Sequence, residues 1–119
     1  MDKVELKRRT KEFAHRCVKL STVLPNTILG RHIAGQLIRC STSVAANYRA
    51  VCIAQSRATF ISKLAIVIEE TDESYFWIEF ASDDNLVKEK KVTELLKEAE
   101  ELTAIFIASQ NTARRNNKK

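Results

Sequence analysis

Apolar residues recur at every third or fourth position over most of this chain, which is the spacing of an amphipathic helix. Four such stretches are separated by short breaks. The first extends from about residue 3 to 23 and ends at residues 24–26, because Pro25 disfavours helix in the residue before it. The second extends from 26 or 27 to about 54. The third begins after Ser56 as its N-cap and continues to about 82, and the fourth follows the turn at residues 82–85.

Each stretch has its own predicted core positions. They are Leu6, Phe13, Cys17 and Leu20, then Ile33, Leu37, Cys40, Val44, Tyr48 and Val51, then Phe60, Leu64, Val67, Ile68, Thr71, Tyr75 and Ile78, and finally Leu95, Leu96, Ala99, Leu102, Ile105 and Phe106. Long helices with short connections lie antiparallel to their neighbours. We therefore predict an all-α fold, an up-down-up-down antiparallel four-helix bundle over residues 1–111, followed by a basic disordered tail over residues 112–119.

Composition agrees with this fold. A length of 119 residues suits one domain, and 2 Gly and 1 Pro are too few for the turns of a β-sandwich or barrel. No apolar run approaches the ~18–20 residues of a membrane helix. The first residues lack the apolar stretch of a signal peptide, so we expect a cytoplasmic protein with no membrane association and with its three Cys as reduced thiols.

Charge divides the chain, although the net charge is only +5. Residues 13–68 contain seven Lys or Arg and no acid, whereas residues 69–87 contain seven Asp or Glu and no base. Two interpretations stay open. Either the acidic third helix neutralises the basic residues, within the bundle or between subunits, or part of the basic surface is free to bind phosphate.

Beside the apolar stripe of the second helix, polar residues recur at helical spacing: Gln36, Arg39, Ser43 and Asn47. If this seam faces inward it needs partners, and the acids at positions 69, 70 and 73 are available. An inward pair of Arg39 with Glu70 would fix the register of two helices. We therefore predict a structural polar network rather than a ligand pocket, with small residues around position 40 that let another helix approach closely.

The chain lacks the residue combinations of an active site or a metal centre. Its two histidines, His15 and His32, lie on different predicted helices and have no Cys or carboxylate at a metal-ligand spacing. The cysteines have no adjacent His, so we expect packed thiols. We predict no metal, no other cofactor and no enzymatic activity, because a nucleophile, a base and an orienting group cannot be named together.

The third helix is apolar on all sides at several positions. Tyr75, Phe76 and Trp77 point in three successive helix directions, so at least one of them contacts water or another subunit. We therefore predict a homo-oligomer.

Three consecutive motifs resemble those of a known family. They lie at Gln36–Arg49, with the pattern Q-L-x-R-x-x-x-S-x-x-A-N, at Ser56–Leu64, with Phe-x-x-Lys-Leu, and at Ile68–Glu79 in the acidic segment. Over roughly residues 8–110, the chain is similar to the bacterial 23S rRNA intervening-sequence proteins, historically labelled S23 ribosomal proteins. Many members have Ala-Glu-Gly after the Asn of the first motif, where this chain has Tyr-Arg-Ala at residues 48–50.

The resemblance implies a homopentamer of antiparallel bundles with no established enzymatic activity. It also implies a relation to the accessory variability determinant of diversity-generating retroelements, which looks like a nucleic-acid-binding partner of a reverse transcriptase. RNA or DNA, and a reverse transcriptase or another protein, are therefore the candidate partners.

Our leading hypothesis is a non-enzymatic oligomeric helical module that binds RNA or DNA through backbone electrostatics with little sequence specificity. The candidate contact residues are Arg49, Arg57, Lys63, Arg114, Arg115, Lys118 and Lys119. The alternative is a protein–protein interaction scaffold that binds no nucleic acid. A surface on which the acids of residues 69–84 cover the bases would favour this alternative.

Overall fold

The computed structural model describes residues 2–117, and within that range it consists of four helices with no strand. The helices are α1 (Lys3–Thr22), α2 (Ile28–Cys52), α3 (Arg57–Asp83) and α4 (Glu89–Asn117). The first three predicted helices are thereby confirmed to within one or two residues at each end.

Each of the first three helices begins at a side-chain cap. Asp2, Thr27 and Ser56 each accept a hydrogen bond from the backbone N–H three residues later, at 2.8, 3.0 and 3.0 Å. These bonds satisfy N–H groups that have no partner inside the helix, and they confirm the predicted cap at Ser56. After α3 the chain reverses at Asn85, whose φ of 60° is a conformation that Asn tolerates better than most residues.

Consecutive helices lie antiparallel. Between α3 and α4, the hydroxyl of Tyr75 lies 3.2 Å from a carboxylate oxygen of Glu100, and the side-chain amide of Gln110 donates to the carbonyl oxygen of Ile61 at 3.3 Å. Residue numbers thus rise along one helix as they fall along the other. Contacts between α2 and α3 have the same order. The resulting four-helix bundle measures 52 × 22 × 20 Å.

The core lies along the bundle axis and includes residues of all four helices. Every predicted core residue of α1 and α2 is buried. In α3 and α4, five predicted positions are only half-buried and pack at the edge of the core: Phe60, Ile68, Tyr75, Leu96 and Ile105. Hydropathy did not predict the buried polar residues Thr10 and Ser74, whose hydroxyls donate to backbone carbonyls four residues earlier at 2.8 Å and so satisfy their hydrogen-bonding need inside the core.

An ion pair joins the first helix to the last. Arg9 Nε donates to Glu98 Oε2 at 3.0 Å, and the two side chains are only 15% and 17% exposed. The hydrogen bond to Glu98 raises the pKa of Arg9. No spacing within either helix pointed to this pair, because it depends on how α4 is rotated against α1.

Gly30 is required by the packing of the segment before α2. A Cβ at this position would lie 1.9 Å from the carbonyl oxygen of Pro25, which is backbone and cannot move aside alone. The absence of a side chain therefore lets the connection fold back tightly onto the first turn of α2.

The predicted disordered tail is wrong for residues 112–117, because α4 remains helical to Asn117. Two cations in the last turn, Arg114 and Arg115, interact favourably with the negative end of the helix dipole. The hydroxyl of Thr112 donates to the carbonyl oxygen of Ala108 at 3.0 Å. Lys118 and Lys119 lie outside the described residues.

Candidate nucleic-acid interface

Antiparallel packing brings three segments without acids to one end of the bundle. The last turns of α2, the first half of α3 and the second half of α4 meet there, and we call residues 45–66 and 102–117 the basic end. These ranges contain no Asp or Glu. Their cations are Arg49, Arg57, Lys63, Arg114 and Arg115. Five of the seven predicted contact residues therefore lie at one end, and the other two, Lys118 and Lys119, are not described.

The cations of the basic end form no ion pair with any carboxylate of the described residues. The ion pairs among the described residues 2–117 are all elsewhere: Arg8–Glu5, Arg8–Glu12, Arg9–Glu98, Arg39–Glu70 and Arg39–Glu73. The four arginines of the basic end are exposed and Lys63 is half-buried. The first turns of α1 also lie at this end, but there Asp2 caps the helix and Glu5 is paired with Arg8. The charge at this end is thus positive and open to solvent.

Arg39 has the opposite surroundings. Its Nη1 lies 3.2 Å from Glu70 Oε2, its Nη2 is paired with Glu73, and its Nε donates to Gln36 Oε1 at 3.3 Å. The guanidinium therefore bridges two carboxylates of α3 and one side chain of its own helix. The expected pairing of Arg39 with Glu70 is present, but it lies at the surface of the contact between α2 and α3 rather than facing inward, since the Arg39 side chain is 48% exposed.

The remaining two members of the predicted polar network do not reach α3. The side-chain amide of Asn47 donates to the carbonyl and hydroxyl oxygens of Ser43, at 3.0 and 2.9 Å. This is a contact within α2, between residues one turn apart. The structure thus brings Gln36, Arg39 and Glu70 together and leaves Ser43 and Asn47 as a separate local pair.

Two further residues of α3 complete the network: Glu73, which the sequence indicated as one of three available acids, and Trp77, which it did not indicate. Glu73 pairs with Arg39, and the indole N–H of Trp77 donates to Glu73 Oε2 at 3.2 Å. Burial alone would raise the pKa of Glu73, but the hydrogen bonds from Arg39 and Trp77 outweigh it and hold that pKa below its ordinary value. The i, i+4 spacing of Glu73 and Trp77 is the signal that would have indicated the second contact.

The small residues of α2 let α1 and α3 approach closely. Cys40 and Ser41 are fully buried, and the hydroxyl oxygen of Ser74 on α3 lies 3.2 Å from Cys40 Sγ. The hydroxyl of Ser41 is buried with no hydrogen-bond partner among the described residues. Burial raises the pKa of both Cys17 and Cys40, so these thiols stay protonated and pack as small apolar groups.

One cluster has donor atoms at metal-ligand distances. The side-chain donors of Cys40, Glu70 and Glu73 lie within 4.8 Å of one another. However, Arg39 already holds both carboxylates, and the Cys40 thiol is buried and protonated. Because a metal needs a thiolate and free carboxylates, this cluster fits the pairing of α2 with α3 better than a cation site.

The geometry defines an all-α bundle of four antiparallel helices, in which the segments of α2, α3 and α4 at one end contain five cations and no Asp or Glu. The chain belongs to the 23S rRNA-intervening sequence protein family, whose model matches residues 2–108. This confirms the family resemblance of the three motifs.

A solved relative has the same fold. It is a protein with unknown function from the S23 ribosomal protein family of Bacteroides thetaiotaomicron VPI-5482, whose crystal structure was determined at 1.70 Å resolution. The two chains are 31% identical, the match covers 87% of this chain and 96% of that one, and the TM-score is 0.81. No curated protein matches this chain.

Among the described residues, no helix is long and apolar enough to cross a membrane.

Proposed function

We propose that this protein is a non-enzymatic, oligomeric helical module that binds RNA or DNA through backbone electrostatics, with little sequence specificity. The observation that carries the proposal is the basic end, where five cations from three helices lie without a paired acid in the described chain. Unpaired cations at a surface release counterions when they bind phosphates, and this term supplies most of non-specific nucleic-acid affinity.

The acids of α3 do not compete for these cations within one chain. Of the seven acids in residues 69–87, only Glu70 and Glu73 pair with a base, and both pair with Arg39. Inside the described bundle, Arg39 is therefore the cation with which the acids of α3 form ion pairs. This supports the interpretation in which the basic surface is free for phosphate.

RNA is the first ligand to test. The family name associates these proteins with an insertion in 23S rRNA. The cations of the basic end are spread over three helix ends rather than presented on one helix that could enter a groove, so we expect contacts to phosphates and not to base edges.

The module is proposed to be a homo-oligomer, and by family resemblance a pentamer. Phe76 on α3 is 48% exposed, next to Trp77 and Phe80. A large exposed aromatic side chain in such a cluster favours burial against a second copy. Five copies, each with a net charge of +5, would gather about +25 and attract polyanions strongly at low salt.

A protein–protein interaction scaffold is the second candidate, and one observation favours it. The exposed Phe76 lies on the same half of α3 as Glu69, Asp72 and Glu79, which are exposed and have no base within ion-pair distance in the described chain. An exposed aromatic side chain with exposed acids on the same half of the helix would fit a basic protein surface. A reverse transcriptase or another protein would then be the partner.

Fluorescence anisotropy with labelled structured RNA, single-stranded DNA and duplex DNA over a salt series tests the proposal, with the mass of the sample measured by light scattering. We expect affinity to fall steeply with salt and to vary little with sequence. The double variant Arg49→Glu with Arg57→Glu is expected to lose binding while its helix content stays unchanged.

The matched control is Lys90→Glu with Lys91→Glu, which makes the same change in net charge at the opposite end of the bundle. Both lysines are exposed, and acids near the start of α4 suit the helix dipole. If both double variants weaken binding equally, net charge rather than the basic end carries it. Absence of binding at low salt would leave the scaffold as the function.

A further inference from the structure

The basic end contains an open groove of about 850 Å³ between α3 and α4. It lies beneath the connection from α2 to α3. Its apolar lining includes Phe60, Ile105, Ala108 and Ala113. Phe60 and Ile105 also pack against the hydrophobic core, so this lining is held in place by the fold.

Small residues of α4 keep the groove open. Ala108 and Ser109 line it together with Thr112 and Ala113. Side chains of ordinary helical size at these positions would fill the space between α4 and the start of α3. Alanine gives no hydropathy signal of a binding site, so the sequence patterns did not indicate this groove.

The rim of the groove has a positive charge and free polar groups. Among the described residues that line it, Arg57 is the single charged one and there is no acid. The side-chain amides of Gln55 and Asn116 also line the groove, and neither forms a side-chain hydrogen bond with another described residue. An occupant with a planar apolar body, polar edges and an attached anion would satisfy all three features.

We propose that this groove receives an unpaired nucleotide, with its base against Phe60 and Ile105 and its phosphate near Arg57. The module then binds single-stranded RNA or DNA and unpaired loops more tightly than a duplex of equal length. This inference rests on the proposed nucleic-acid binding and adds to it the class of strand that is bound. Its basis is the charge complementarity of an acid-free groove at the unpaired basic end, together with the apolar lining.

The strand preference separates this proposal from electrostatics alone. A duplex has the higher charge density, so cations without a base-binding groove bind it at least as tightly as a single strand. Bases in a duplex are stacked inside and cannot enter the groove, whereas an unpaired base has a free face to pack on an aromatic ring. A preference for the single strand therefore reports on the groove.

The test compares a labelled single-stranded RNA with a blunt-ended RNA duplex of the same number of phosphates and no loop, by anisotropy at one salt concentration. In the double variant Ala108→Leu with Ala113→Leu, leucine fills the groove without changing charge and keeps helix propensity high. The matched control, Ala46→Leu with Ala104→Leu, makes the same change at exposed positions outside the groove.

We expect the wild-type protein to prefer the single strand, and the groove variant to lose about fivefold or more of that affinity while duplex affinity stays within about twofold. The control should match the wild type. Equal affinity for both strands in the wild type, or an unchanged preference in the groove variant, would overturn the groove assignment.

The outcome for the proposed function is separate. If the groove variant is unaffected but Arg49→Glu with Arg57→Glu abolishes binding, the proposed electrostatic binding is supported and the proposed nucleotide groove is wrong. If the wild type binds neither strand, both fall. A groove variant whose mass drops while its nucleic-acid affinity is retained would assign the groove to a second copy of the chain and overturn the nucleotide as its occupant.

Discussion

Arg39 and Arg49 lie on the same acid-free helix, yet one is bound into the fold and the other is not. Arg39 is paired with Glu70 and Glu73 across the contact between α2 and α3, whereas Arg49 is exposed at the basic end with no carboxylate partner in the described chain. The acids of α3 contribute to this difference. The antiparallel arrangement places them opposite Arg39, whereas the acid-free first half of α3 lies at the end of the bundle that contains Arg49.

The charge reversal inside α3 explains the contrast. Its first half, through residue 68, has no acid, and its second half, from residue 69, has six. Because the helices are antiparallel, the second half faces the start of α2 and the first half faces its end. Adjacent basic and acidic segments in the sequence therefore neutralise each other only in the middle of the bundle, and the far end keeps its positive charge.

The strongest way to break this contrast is to give the first half of α3 the acids of its second half. In the double variant Ala58→Glu with Ser62→Glu, both positions are exposed, so the fold tolerates the change. Two carboxylates at the basic end would compete with phosphates for its cations. We expect nucleic-acid affinity at low salt to fall about tenfold or more and the salt dependence to become shallower, measured by anisotropy.

Its control removes acids from the other half. Asp72→Asn with Glu79→Gln changes the net charge by the same amount in the opposite sense, away from the basic end. Affinity should remain within about threefold of the wild type. A gain as large as the loss caused by the added acids would mean that overall charge, and not its placement, determines binding.

The second prediction exchanges the roles of the two arginines. Arg39→Gln leaves the neighbouring carboxylates of Glu70 and Glu73 without their cation, so the free energy of unfolding should fall by about 1 kcal/mol, a modest loss because the side chain is half exposed. Arg49→Gln should change it by less than about 0.5 kcal/mol. Urea unfolding measures both.

Affinity should follow the opposite order, with Arg49→Gln weakening RNA binding and Arg39→Gln leaving it unchanged. Anisotropy on the same two samples measures this. If Arg39→Gln weakened binding as much as Arg49→Gln, the network at the middle of the bundle would belong to the nucleic-acid interface.

The sequence predicts the features of this contrast that arise within one helix or turn, and it does not predict those that depend on how two helices are oriented against each other. Helix periodicity, Pro25 and the cap at Ser56 are local signals, and they predicted the four helices. The pairing of Arg39 with Glu70 followed from polar spacing on α2 and the position of the acids. Its exposure did not, because whether a seam faces the core depends on how both helices are rotated in the bundle.

The parts of the candidate site that the sequence did not predict are made by two or more helices. The groove exists because Ala108 and Ala113 of α4 lie beside Phe60 of α3, and small residues alone give no signal. Outside the candidate site, the ion pair of Arg9 with Glu98 likewise joins two helices, α1 and α4. The helical end of α4 was missed because its polar composition resembles a solvated tail, although Ala113 lies half-buried beside α3.

The third prediction uses acid pH to protonate Glu73 and so remove its charge from the network at the middle of the bundle. The folded-state pKa of Glu73 is below its ordinary value of 4.5, so the ionised form is stabilised by folding. That contribution is complete above the ordinary pKa and is lost as pH falls through the lowered folded-state value. We therefore expect Glu73→Gln to be less stable than the wild type at pH 7 and equal to it at strongly acid pH.

Urea unfolding of both proteins at several pH values from 7 to 3 measures the difference. Glu69→Gln is the control, because Glu69 is exposed and outside the ion pairs of the described chain, and its stability should follow the wild type throughout. A Glu73→Gln difference that persists unchanged into acid would show that Glu73 stabilises the fold by packing rather than by its charge.

The smallest expected effect separates stability from binding on α2 itself. Gly35 is exposed one turn before Arg39, and a Cβ there would meet no atom within 4 Å. Gly35→Ala should therefore raise the free energy of unfolding by about 0.5–1 kcal/mol, because alanine loses less backbone entropy in a helix. Gly30→Ala, where the added Cβ meets the Pro25 carbonyl, should lower the free energy of unfolding.

Neither change is at the basic end. Under conditions in which both variants are fully folded, their RNA affinity should therefore equal that of the wild type. An affinity that rose with Gly35→Ala and fell with Gly30→Ala would mean that binding depends on the stability of α2 as a whole, and that the contrast between Arg39 and Arg49 is one of folding rather than of charge.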